Sequence, residues 1–199
     1  MSTRKGKVVF LEDVLNKAVD EIREIIVEKG VVTDNIDETA RQVGIGAVIF
    51  QELSNNRIKD YTFSWDKVLN FEGETGSYVQ YTYARCASVL RRADEKALAR
   101  AEAVDIDASC LTGDAAYECI KLIAEFPDVI IEAADKYEPS VITRHVIDVA
   151  QGFNKFYHDE HILVDDIDEQ AAKLALVIAA KNTIKNGLTL LGMECPERM

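Results

Sequence analysis

Residues 168–191 read DEQAAKLALVIAAKNTIKNGLTLL, and this stretch decides the fold. Val177, Ala180, Ile184, Leu188 and Leu191 recur at helical spacing as one apolar stripe, and Leu174 and Ile178 form a second beside it. An outer helix of a globular chain needs only one such stripe, so a helix with so little circumference left for water is the central member of a bundle. The segment before it, 140–158, has the outer pattern, with Ile142, Val146, Val149, Phe153 and Phe156 on one face. Further helices are predicted over 75–93, 111–125 and 128–137. The charged, alanine-rich stretch 94–107 is expected to form a short exposed helix with mobile ends.

Nearer the N-terminus, Leu15, Ala18, Val19, Ile22, Ile25 and Ile26 mark an amphipathic helix over 11–29, which Gly30 stops. Asp34 or Asn35 can cap a second helix running to about Leu53, with Ala40, Val43, Ala47 and Phe50 on one side. Ser54-Asn55-Asn56 reads as a turn, and the alternation of Arg57-Ile58-Lys59-Asp60-Tyr61-Thr62-Phe63 predicts one strand. The expected fold is mainly α. It has a small irregular N-terminal region with one short strand over 1–72 and an all-helical bundle over 73–199.

Composition narrows the function. Of 199 residues 35 are acidic and 23 basic, a net charge of −12, which argues against a chain that coats nucleic acid nonspecifically but leaves room for a local basic face. With 48% hydrophobic and 29% charged residues the chain is an ordinary globular one, and at this length it buries roughly 70% of its unfolded surface without staples. No apolar run approaches the ~20 residues that span a bilayer, and no signal peptide is visible. The cysteines Cys86, Cys110, Cys119 and Cys195 lack C-x-x-C spacing, so reduced thiols in a cytoplasmic protein are expected rather than a disulfide or zinc framework.

Several motifs resolve into packing or solvent. Val43-Gly44-Ile45-Gly46-Ala47 has two glycines but no third and no preceding strand, so it fits a close helix contact better than a dinucleotide site. Gly73-Glu74-Thr75-Gly76 lacks the Lys-Ser or Lys-Thr of a phosphate loop. His158, His161, Asp165, Asp166 and Asp168 suggest metal ligands, but without a Glu-x-x-His pattern a solvated acidic loop is the better account. No serine or cysteine is paired with a histidine for nucleophilic attack.

Two faces remain. Tyr78, Tyr81, Arg85 and Arg92 fall on one side of a helix, while Val79, Tyr83, Cys86 and Leu90 supply packing on the other. Aromatic rings interleaved with guanidinium groups can stack on bases and bond phosphates, and the same pattern also fits a surface that shields neighbouring helices. At the end of the 140–158 helix, Asn154, Lys155, Tyr157 and His158 offer an amide, an ammonium, a phenol and an imidazole, groups able to read an unstacked base.

The opening Met1-Ser2-Thr3-Arg4-Lys5-Gly6 is similar to the second signature loop of class I aminoacyl-tRNA synthetases, in the form usual for arginyl-tRNA synthetase. Val43 to Ala47, Leu53-Ser54-Asn55-Asn56-Arg57 and Asp60 to Asp66 resemble segments of that family. So do Phe71-Glu72-Gly73-Glu74-Thr75-Gly76, Tyr78-Val79-Gln80-Tyr81, Ala84-Arg85, Phe153-Asn154-Lys155-Phe156-Tyr157-His158 and the closing Pro196-Glu197-Arg198-Met199. The resemblance runs the length of the chain but covers only the last third or so of that enzyme. The nucleotide signature and the arginine pocket would lie before Met1.

The resemblance implies the end of a catalytic domain and a stem over 1–72, then a helical anticodon-binding domain over 73–199. Met1, Ser2, Thr3, Arg4 and Lys5 would be the remnant of the loop that steadies ATP phosphates. Thr3 takes the place of a lysine there, and Arg4 and Lys5 are both candidate cations. Tyr78, Tyr81, Arg85, Asn154, Tyr157, His158 and Met199 would contact tRNA at the anticodon. Gly192 and Pro196 break the last helix, which can turn Met199 back across the bundle. No cofactor is expected in this chain, with ATP and magnesium serving the whole enzyme, and no metal site. The expected partners are arginine tRNA and an N-terminal catalytic part, for a monomer that is not catalytically competent alone. The alternative is a stand-alone helical protein-interaction module derived from the enzyme.

Overall fold

The computed structural model describes residues 10–60, 63–71 and 73–199. In chain order the helices are α1 (Leu11–Glu28), α2 (Ile36–Ser54), the single turn α3 (Trp65–Val68), α4 (Gly76–Arg91), α5 (Glu95–Glu102), a 3-10 turn (Ala108–Cys110), α6 (Asp114–Lys136), α7 (Ser140–Asp159) and α8 (Ile167–Leu190). The fold is mainly α, as expected. Helix α8 is the hub: it packs on α4, α5, α6, α7 and the 3-10 turn. Leu174, Val177, Ala180, Ile184 and Leu188 are all fully buried, so both sequence stripes meet neighbours. Phe153 and Phe156 of α7 close the core at one end of α8, and Val146 and Val149 pack near its other end.

Capping explains where several helices begin. Asn35, rather than Asp34, caps α2 by accepting from Glu38 N at 3.1 Å. Thr75 caps α4 by accepting from Tyr78 N, and Asp166 caps α8 by accepting from Glu169 N at 2.9 Å. Asp94 accepts from Lys96 N and Ala97 N at the start of α5.

Three expectations fail. The strand at 57–63 is absent among the described residues. Residues 57–60 instead turn, with Lys59 N donating to Asn56 O and Ile58 N to the Asn56 side chain, and Ile58 is exposed. Its alternation is genuine, but among the described residues there is no partner strand to receive the ladder; Tyr61 and Thr62 lie outside the described residues. The predicted break between 125 and 128 is also absent, because α6 runs through Pro127. Phe126 and Ala133 are buried on the two sides of the proline, so packing holds the helix together across the missing N–H. In the same turn, His145 Nε2 of α7 donates to Leu122 O at 2.9 Å, which accounts for this buried imidazole. Finally, α5 is not simply exposed: Ala97 and Ala101 are buried against α8.

Helices α1 and α2 pair closely, and α2 also lies on α4 and α7. The pairing depends on Gly44, where an added Cβ would stand 2.8 Å from the backbone of Ala18 and Val19. This is the helix contact that the two glycines suggested. Gly44→Ala is expected to destabilise the chain by about 1–3 kcal/mol, since backbone must move to admit the methyl. Urea unfolding checks this, and an unchanged midpoint would mean that α1 shifts away freely.

Candidate nucleic-acid interface

The site grows from one exposed face of α4. Gly76 starts that helix where Phe50 leaves no room for a side chain, and Val79, Tyr83 and Cys86 bury the opposite face. Tyr78, Tyr81 and Arg85 are therefore presented along the outer side, facing the end of α7. The guanidinium of Arg85 lies 4.9 Å from the centre of the Tyr81 ring and 5.2 Å from that of Tyr157. Both rings are exposed at their edges, so the cation is clasped between two aromatic faces that still reach solvent.

Asn154 holds this cluster from behind. Its Oδ1 accepts from Arg85 Nη1 at 2.5 Å, while its Nδ2 donates to Tyr78 OH at 2.8 Å and to Thr82 Oγ1 at 2.9 Å. With both amide hydrogens engaged, Asn154 fixes Arg85 and Tyr78 and has no donor left for a base. Phe153 packs beside the Tyr157 ring at 6.3 Å. His158 stands apart: its side chain is 88% exposed, with Nδ1 3.1 Å from Asp159 Oδ1, and it lines neither groove.

Two grooves meet at the cluster. The first, of about 540 Å³, is mostly apolar, with Ile22, Ile26, Val43 and Phe71 as its floor and Tyr78, Tyr81, Arg85 and Met199 at its rim. The second, of about 690 Å³, is polar and brings together Arg85, Arg91, Arg92 and Arg198 around Tyr81, Tyr157 and Met199. A chain of net charge −12 thus collects four guanidinium groups in one depression. An apolar slot for a ring beside an arginine-lined channel is suited to an unstacked base and its phosphates.

Of the residues singled out in the sequence, Tyr78, Tyr81, Arg85, Tyr157 and Met199 come together on the grooves, and Asn154 supports them. Met1, Ser2, Thr3, Arg4 and Lys5 lie outside the described residues. Sequence reasoning missed Arg91, which lies on α4 but off the spacing of Tyr78, Tyr81 and Arg85, and also Lys29, Val31, Phe71 and Arg198, which come from loops and helix ends that no local period links. Elsewhere, Asp168 pairs with Arg100, and among the described residues no group of three His, Cys, Asp or Glu could hold a metal ion. Burial pushes the thiols of Cys119 up to about 12 and Cys195 up to about 11, far from a reactive thiolate. Among the described residues no helix is long and apolar enough to cross a membrane.

Residues 79–199 match the family model described as the DALR anticodon binding domain. The chain belongs to that family. Ahead of the DALR domain, residues 1–65 match the catalytic domain of class I tRNA synthetases of the arginine type. The chain is 56% identical over 199 residues to an arginine–tRNA ligase of Halothermothrix orenii and 54% identical to one of Clostridioides difficile, covering all of this chain and 34% of each ligase. It therefore spans about a third of the length of the curated relatives it matches. The arginyl-tRNA synthetase of Thermus thermophilus superposes with a TM-score of 0.86 at 29% identity, over 100% of this chain and 33% of that one. That of Plasmodium falciparum, at 22% identity and a TM-score of 0.81 over 96% of this chain and 34% of that one, shares the fold. The chain corresponds to the DALR-bearing portion of the arginyl-tRNA synthetases it matches, and a stand-alone interaction module is not favoured.

Proposed function

We propose that this portion binds the anticodon loop of arginine tRNA in the two grooves that share Tyr81, Arg85 and Met199. The observation that carries the reading is the clasp of Arg85 between Tyr81 and Tyr157 at the junction of an apolar slot and an arginine-lined channel. An unstacked base enters the slot, stacks on a tyrosine and packs against the Met199 thioether, which makes no demand on hydrogen-bond pattern. Arg85 supplies the directional donors, and Arg91, Arg92 and Arg198 take the neighbouring phosphates. Tyr78 and Asn154 keep Arg85 in place. His158, exposed at the end of α7, lies off the grooves and is left to a flanking nucleotide.

In the whole enzyme this domain would deliver tRNA to a catalytic part that joins arginine to it with ATP and magnesium, acting as a cytoplasmic monomer with no membrane association. Residues 1–72 would be the end of that catalytic part and its stem, and 73–199 the anticodon-binding domain. Met1, Ser2, Thr3, Arg4 and Lys5 would belong to the loop that steadies ATP phosphates.

Tyr157→Ala is expected to weaken binding of the arginine anticodon stem-loop by about 1–3 kcal/mol, the range for one stacked base. Deleting Arg198 and Met199 is expected to weaken the same binding with helix content unchanged. Fluorescence titration against the parent chain checks both, and parent-like affinity in both variants would move the site elsewhere on the bundle.

A further inference from the structure

After α8 the chain reverses at Gly192, which takes φ 77°, and residues 193–199 cross the bundle without regular structure. This strap is tied at successive points. Met193 is buried. Glu194 O accepts from Gln80 Nε2 at 2.7 Å, and its carboxylate pairs with Arg41 at 2.7 Å. Next come the ties on Glu197. Oε1 accepts from Tyr83 OH at 2.6 Å, and both carboxylate oxygens accept from Lys181 Nζ at 3.0 Å. The Glu197 carbonyl accepts from Arg91 Nη1 at 3.0 Å. Arg198 then reaches Asp34 at 3.3 Å, and Met199 arrives among Ile22, Ile26 and Val43, lining both grooves.

Tyr83, Lys181 and Glu197 line neither groove, so their roles are not contained in the base-binding reading. Glu197 sits two residues before Met199. Without its carboxylate, the last turn of chain would keep the Arg91 bond to the carbonyl of residue 197 and the exposed Arg198–Asp34 pair, which is worth little by itself. We propose that Glu197 is a positioning residue for base recognition: held by Tyr83, Lys181 and Arg91, it sets the strap so that Met199 stands as the wall shared by the two grooves. The clamp joins two helices to Glu197, since Tyr83 of α4 and Lys181 of α8 hold its carboxylate and Arg91 of α4 its carbonyl, while Arg41 of α2 anchors the strap at Glu194. Ordering the terminus in advance removes an entropy loss that binding would otherwise incur. The proposal rests on the grooves being the anticodon site.

The test uses the 199-residue chain with ¹³C-methyl-labelled methionine and the arginine anticodon stem-loop. Glu197→Ala is expected to move the Met199 methyl signal to the position of a free chain end while the Met193 signal stays. It should leave the thermal midpoint unchanged and weaken stem-loop binding roughly ten-fold, about the ordering of one residue. Glu197→Gln keeps an acceptor for Tyr83 but loses the charge pair, and should fall between; Tyr83→Phe should behave likewise. An unmoved Met199 methyl, or parent-like affinity in Glu197→Ala, overturns the proposal. So does an affinity loss that in both Glu197→Ala and Tyr83→Phe tracks a drop of the whole melting curve, which would assign the clamp to bundle stability. A parent chain that ignores the stem-loop overturns the anticodon reading and this role with it, and is told apart because the methyl shifts still appear.

Discussion

Arg85→Ala is expected to weaken binding of the arginine anticodon stem-loop by about 2–3 kcal/mol, as expected for losing a charged donor together with a stacked plane. The Arg85 side chain touches Tyr81, Tyr157 and Asn154 together. Its removal deletes the donors facing the grooves and leaves Tyr81 and Tyr157 without the plane that orients them. Asn154 Oδ1 would turn to water, so helix content should hold. Arg85→Lys retains charge but not the planar fork, and should recover only part of the loss. Isothermal titration with parent and both variants measures this. Equal affinities across the three would mean that the grooves do not hold RNA.

Phe153→Ala should act on the fold rather than on the site directly. The ring is fully buried, 6.4 Å from Phe156 and 6.3 Å from Tyr157. Emptying that volume in the core is expected to cost about 3–5 kcal/mol of stability, because α7 and α8 can only partly close the gap. Urea unfolding followed by helical circular dichroism reads the change. A loss below about 1 kcal/mol would show that the core end near α5 collapses around the cavity, contrary to the packing described. Because Tyr157 leans on Phe153, the variant should also bind the stem-loop less well even where it remains folded.

The bundle was legible where one segment carried its own signal. Two stripes on α8 mark the central helix, and the Asp34-Asn35 pair marks the start of α2 to within one residue, because side-chain period and capping are local. What escaped was set by distant partners. Pro127 sits inside α6 because Phe126 and Ala133 are both buried. The alternation at 57–63 met no second strand, and the alanines of α5 are small because α8 lies against them. The site divides the same way. Tyr78, Tyr81 and Arg85 share one helix face and could be found by spacing. Arg198 and the Tyr83–Glu197–Lys181 cluster unite residues far apart in sequence, and no period reports them. Asn154 was read as a base-reading amide, yet its donors are already engaged by Tyr78 and Thr82.

The most direct test is a titration of the 199-residue chain with the arginine anticodon stem-loop and with the same stem-loop carrying another anticodon, each across a salt series. The grooves predict tighter binding of the arginine anticodon at every salt concentration. With Arg91, Arg92 and Arg198 of the second groove on phosphates, log K should fall with log salt at a slope near −2, from about −0.7 per phosphate contact on a single strand. Arg92→Ala should make that slope shallower by about 0.7 without changing the preference between the two loops. Equal affinity for both stem-loops, or no measurable binding of either, would contradict the assignment of anticodon recognition to Tyr81, Arg85, Tyr157 and Met199.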